Sequence, residues 1–241
     1  MRSISAEALL DLCDRGARAR HARRALLLLG AAGVDRADAG SIPIGARNRR
    51  LIALRERLFG AALASTTACP ECNERVELLV SIDDLLAAAP PIDSGSQLTV
   101  VAAGHDVTFR LPCTDDFTGL PGDVEVARGE LLRRSVMTID GSQDEGVLAA
   151  ALPDIAPIVS SAIEAADPGA VIAFELSCPS CAHAWTAFFD IVSFLWHELE
   201  QWSRRVLDDV HRLARGYGWS ESEILGLSEA RRQAYLERLP A

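Results

Sequence analysis

The sequence predicts an α+β protein, mainly α, with a small split β core flanked by N-terminal and C-terminal helices. Three observations predict it. Apolar residues recur at helical steps in the first sixty residues and again through 190–215, where Val192, Leu195, Leu199, Trp202, Val206, Val210 and Leu213 form one stripe. From residue 65 the period becomes alternating, with Val76, Leu78 and Val80 separated by polar neighbours. Two short cysteine-bearing segments repeat one another at an offset of 109 residues.

In chain order, residues 5–14 and 20–31 carry leucines at helical spacing, and Gly30 and Gly33 punctuate the second stretch. A third helix starts after Ser41 and Pro43, runs through Ile44, Leu51, Ile52, Leu54 and Leu58, and stops at Gly60. Its other face bears Arg47, Arg49, Arg50, Arg55 and Arg57, which reads either as a solvated face or as a docking surface for an acidic partner. Pro90, Pro91, Ser94 and Gly95 mark a loop. Strands follow at 97–103 and 106–112, joined by a turn at Gly104-His105-Asp106, then helices at 123–136 and 154–166 and a strand at 170–177. The long helix at 190–215 ends at Gly216 and Gly218. Ser220 and Glu223 have the spacing of a capping box, and a last helix spans 229–239.

Cys69-Pro70-Glu71-Cys72 and Cys178-Pro179-Ser180-Cys181 are the chemical centre of the chain. Two residues between thiols let a tight turn aim both sulfurs at one metal, and two such turns complete a tetrahedron of thiolates around zinc. A contiguous zinc ribbon has roughly 15–20 residues between its pairs, whereas 105 intervene here. The offset of 109 supplies what the spacing lacks, aligning Val76 with Trp185, Val80 with Phe189, Ile82 with Ile191, Leu85 with Phe194 and Leu86 with Leu195. Each segment reads as cysteine turn, strand, then helix start. The expected architecture is therefore a split zinc-ribbon-like core. Its parts are a helical region at 1–62, half-ribbons at 63–95 and 166–190, an inserted α/β segment at 96–165, and a helical region at 191–241. One structural zinc ion on Cys69, Cys72, Cys178 and Cys181 is the favoured reading. A thiol oxidoreductase and unliganded thiols are the alternatives, although a redox pair belongs at a helix N-terminus and strands follow both pairs here.

Other candidates have ordinary readings. His183 stands two positions after Cys181, as a ribbon-strand residue or a neighbour of the metal. His197 and His211 are too far apart on one helix to share an ion. Cys13 and Cys113 read as buried free thiols, and Asp115-Asp116 as a helix cap. No nucleophile elbow, phosphate loop or dinucleotide fingerprint is present, so no enzyme is expected.

Charge and composition narrow the function classes. The 241 residues sum to a net charge of -10, and every basic residue is Arg. Residues 1–60 carry twelve Arg against six acids, while the remainder carries twelve against twenty-eight. A basic N-terminal arm on an acidic body suits a protein partner and makes a general nucleic-acid binder unexpected. The longest unbroken apolar run, Ala25 to Val34, has ten residues, short of the roughly 20 needed to span a bilayer. Glu7 and Asp11 interrupt any signal-peptide core. A cytoplasmic protein with no membrane association is the expectation. Nine of thirteen aromatic residues, including all four Trp, fall between Trp185 and Tyr235. Trp196, Trp202 and Trp219 are core residues or part of a partner-binding face.

Two stretches resemble a known family. One is Ile42-Pro43-Ile44-Gly45-Ala46-Arg47-Asn48-Arg49-Arg50-Leu51 with Leu54-Arg55-Glu56-Arg57-Leu58-Phe59-Gly60 and the following Cys-Pro-x-Cys. The other is FDIVSFLWHELEQW, then VHRLARGYGWSESEILGLS and RRQAYLE. Together they resemble the baseplate hub assembly chaperones of T-even-like phages, in the version encoded with contractile injection systems. The resemblance implies a non-catalytic assembly factor without identifying its bound partner; a baseplate hub or spike component is the expected partner. Arg47, Arg49, Arg50, Arg55, Trp196, Trp202 and Trp219 are its candidate contacts. A zinc-ribbon nucleic-acid-binding or transcription-associated protein, using the basic N-terminal helices, is the alternative.

Overall fold

The computed structural model describes residues 4–92, 95 and 97–239; Ser94 of the predicted loop lies outside them. The chain is mixed, 54% helical and 18% strand, with small sheets. Helices α1 (Ala6–Gly16), α2 (His21–Ala31) and α3 (Ile44–Phe59) are followed by a hairpin of β1 (Ala62–Ala68) and β2 (Arg75–Ser81), which leads into α4 (Ile82–Ala88). A three-stranded sheet in the order β3 (Leu98–Ala102), β4 (His105–Phe109) and β5 (Val136–Ile139) comes next, with α5 (Val124–Ser135) before its last strand and α6 (Glu145–Ala166) after it. A second hairpin, β6 (Ile172–Ser177) and β7 (Ala184–Phe189), leads into α7 (Ile191–Tyr217). Helices α8 (Glu221–Leu225) and α9 (Glu229–Leu236) pack back on the end of α7.

The main core lies between α1, α2, α3, α4 and α7. Leu28, Leu51, Ile52, Leu54, Leu85, Val192, Leu195 and Leu199 are fully buried there. Trp196 sits at its centre, with its indole N–H donating to Glu200 at 2.6 Å and Arg24 stacked on the ring at 4.7 Å. The ring lies so close to Gly16 that a Cβ there would collide with it. Gly16→Ala is therefore expected to cost about 1–3 kcal/mol through overpacking, readable as a lower midpoint in urea unfolding with an unchanged m-value. A separate cluster, including Val107, Phe109, Ile139, Ile155 and Val159, joins the three-stranded sheet to α6, and a small third cluster holds α8 and α9 on α7.

Several elements depart from the sequence expectation. The first hairpin strand, β1, reads Ala-Leu-Ala-Ser-Thr-Thr-Ala, too weakly alternating to register by itself; its pairing with β2 over Ala62↔Ser81 to Ala68↔Arg75 makes it a strand. The turn between β3 and β4 falls at Ala103-Gly104, both at positive φ (50° and 86°), one residue earlier than expected. That two-residue turn matches the strand twist. The helix expected to reach residue 136 gives way to β5. Helix α6 begins at Glu145 rather than near 154, carrying Pro153 and Pro157 on its exposed face, where the freed carbonyls reach water. By length and composition this helix could cross a membrane (mean hydropathy 1.7), with 17% of that stretch buried. In the fold its Leu148, Ile155 and Val159 face the three-stranded sheet.

Candidate metal centre

The two hairpins share one backbone design. Ala68 pairs with Arg75 at the end of the first and Ser177 with Ala184 at the end of the second, so the 109-residue offset holds in the strand register. In the first turn the Cys69 N–H donates to the Glu74 carbonyl and the Asn73 N–H to the Cys69 carbonyl, both at 2.9 Å. In the second, the Cys178 N–H donates to the His183 carbonyl and the Ala182 N–H to the Cys178 carbonyl, also both at 2.9 Å. Each turn closes on a left-handed residue, Asn73 (φ 59°) or Ala182 (φ 57°). Asn tolerates that conformation and Ala does not. Ala182→Gly is expected to stabilise the protein by about 1 kcal/mol, read as a small rise in melting temperature.

These turns bring the four sulfurs to one point. The Sγ atoms of Cys69, Cys72, Cys178 and Cys181 lie within 4.8 Å of one another. Cys69 and Cys181 are 3.7 Å apart, and Cys72 and Cys178 are 3.5 Å apart, so the closest contacts run between hairpins. A tetrahedron with metal–sulfur bonds near 2.3 Å places its sulfurs about 3.8 Å apart. The quartet is thus already close to the size that a four-thiolate ion requires. The first cysteine of each pair is buried and the second exposed, and all are free thiols. The Cys181 backbone N–H draws Cys178 down to about 7. The Glu74 N–H pulls Cys72 the same way, but the neighbouring thiols outweigh it and push Cys72 up to about 12. Thiolates this close repel one another, so full ionisation of the quartet calls for a cation among them.

His183 is not aimed at the sulfurs; its ring stacks on Trp185 with centroids 6.2 Å apart. Neither cysteine pair opens a helix, the setting that activates redox thiols. Cys13 and Cys113 are buried elsewhere, and burial pushes both thiols up. Asp116 closes the short turn that begins at Cys113 and pairs with Arg110 at 2.6 Å.

The residues expected to meet a partner are placed differently from one another. Arg55, 3% exposed, grips Glu198 through two hydrogen bonds of 2.9 and 2.7 Å and donates to the carbonyls of Gly60 and Ala62. Arg49 donates to the carbonyls of Leu86 and Ala89. Arg47 is buried against Asn48 and Thr114. These arginines stitch α3 to its neighbours rather than forming one solvated face; Arg50 alone of the four is exposed. Trp196 is core, whereas Trp202 and Trp219 are half-buried, the latter stacked on Tyr217 at 4.7 Å. Sequence reasoning missed two features near the hairpins. Leu79 and Phe188, equivalent under the same offset, are both strongly exposed (87% and 76%), and extending the alignment by one pair would have exposed the symmetry. The buried Asp167 carboxylate accepts from the Gly45 N–H at 2.9 Å and so caps α3 from across the fold.

Residues 29–196 match the model of the family described as T4 bacteriophage base plate protein. The chain belongs to this family. The base plate match takes in α3, both cysteine hairpins and the segment between them, and ends at Trp196 within α7. It makes a base plate structural or assembly role the functional frame, with other base plate proteins as the class of partner, and does not suggest an enzyme. No curated protein and no solved structure matches the chain.

Proposed function

We propose that the protein is a non-catalytic assembly factor, a chaperone or structural component, for the baseplate hub of a phage-tail-like contractile injection system. The base plate family match over residues 29–196 is the observation that carries this reading. The two hairpins act as halves of a split zinc ribbon, with one zinc ion on Cys69, Cys72, Cys178 and Cys181. The intersulfur distances of 3.5 and 3.7 Å support it. Four thiolates fill a tetrahedral ion and leave no position for substrate, so the zinc is structural. Free thiols throughout suit a cytoplasmic site of action.

Co-expression with each baseplate component, followed by pull-down, tests the role. Stable capture of a hub or spike protein is the expected result. Failure to capture any component, together with a salt-dependent shift of DNA or RNA, would instead favour the nucleic-acid-binding alternative.

A further inference from the structure

Two arginines of α3 are deeply buried, and only one has a carboxylate to hold. Arg55 has Glu198. Arg47, 7% exposed, donates from Nε and Nη2 to Asn48 Oδ1 at 3.1 and 2.9 Å and from Nη1 to Thr114 Oγ1 at 3.4 Å. These acceptors are neutral. Asp190 and Asp167 act on Arg47 only through space. Asp190 is held by His21 and by the first N–H groups of α7, and Asp167 by the Gly45 N–H. A buried cation with no anion in contact is costly, and this desolvation draws Arg47 down from its ordinary value.

Arg47 lines a cavity of about 840 Å³ between α2, the start of α3 and the β6–β7 hairpin. Its walls are mainly apolar, including Ile44, Ile172, Phe189 and the exposed Phe188, and the Asp190 carboxylate, already held by His21 and the first N–H groups of α7, also lines it. Arg20 and Arg23 also line it, and neither forms an ion pair among the described residues. A second cavity of about 450 Å³ shares the walls Ile44, Phe117, Ala170 and Val171 with the first. It is lined by Asp167, whose Oδ1 is buried against Gly45. The larger cavity thus offers apolar walls and three arginines, Arg47, Arg20 and Arg23, with no carboxylate paired to them among the described residues. A peptide segment supplies both complements, apolar side chains and a carboxylate.

We propose that this cavity receives an apolar segment of a partner protein that carries a carboxylate, with Arg47 as its anchor. The partner's being a base plate protein rests on the functional reading above; the carboxylate site does not. Two measurements separate them. N-acetyl-L-phenylalanine and its uncharged amide serve as probes, followed by NMR at the Arg47 Nε–H and the Asn48 side-chain amide. Saturable shifts are expected with the carboxylate, at about tenfold lower concentration than with the amide, and Arg47→Met should remove that preference. Equal response to both probes, or no saturable shift, overturns the site. Phe188→Asp changes an exposed side chain, so it keeps the test open should Arg47→Met fail to fold; it should weaken probe binding and capture of a base plate component by about tenfold. Capture undiminished by Phe188→Asp overturns the site as the partner's seat while the functional reading stands. A probe that saturates at Arg47 in a protein that captures no component overturns the functional reading alone.

Discussion

Cys69→Ser combined with Cys178→Ser is expected to abolish zinc binding and lower the melting temperature by about 10–20 °C. The four sulfurs converge from two hairpins with only 3.5 and 3.7 Å between nearest partners. Structural zinc contributes about 10–16 kcal/mol to the folding of isolated zinc-finger peptides. Here helices α3, α4 and α7 already hold the hairpins, so a smaller share, about 5 kcal/mol, should be lost. At about 2–4 °C per kcal/mol for a chain of this size, that gives the stated range. A strong chelator acting on the unaltered protein should reproduce the shift, and returning zinc should reverse it. Elemental analysis should find one zinc per chain in the parent and in a Cys13→Ala control, because Cys13 lies in the main core away from the cluster, with its thiol donating to the Leu199 carbonyl. Metal-free protein purified under reducing conditions, or doubly substituted protein that melts with the parent, would overturn the zinc reading.

The second large effect belongs to Arg55 and Glu198. Glu198→Gln leaves Arg55 buried with its two carbonyl partners and no countercharge. Loss of one member of a buried pair costs about 3–5 kcal/mol. The Glu198 side chain keeps 22% exposure, so solvent screening places the expected cost near the low end, about 3 kcal/mol. Arg55→Met with Glu198→Met should recover much of the loss, since a matched apolar pair removes the stranded charge. Urea unfolding of Arg55→Met, Glu198→Met and the double variant gives the coupling directly. Additive losses would mean that the pair does not act as a unit.

Burial of these arginines shows where sequence legibility ended. The stripe of α7, the capping box at Ser220 and Glu223 and the two cysteine hairpins were all readable, because each depends on residues near in sequence or on a repeat within it. The α3 arginines fall on its polar face by periodicity, and nothing local reveals that Glu198 and the Leu86 and Ala89 carbonyls fold over them. Strand β5 was hidden because Val136 and Ile139 continue the helical spacing of Leu132. The early turns of α6 were hidden because Pro153 reads as a break rather than as an exposed position in a continuing helix. At the candidate site the four cysteines were legible from the repeat, while the cavity beside Arg47 was not, since its walls come from five separate parts of the chain.

The distance between the two cysteine pairs also sets an order of events during synthesis. Cys69 and Cys72 leave the ribosome more than a hundred residues before Cys178 and Cys181. At about 5–20 residues per second, the first pair waits several seconds with only half a coordination set. A zinc ion closing the cluster would then cross-link a long loop, the geometry in which a covalent staple restricts an unfolded chain by about 4–5 kcal/mol. The quartet can therefore assemble only once Cys181 has been made, and a bound ion would mark a chain whose two cysteine hairpins have found each other.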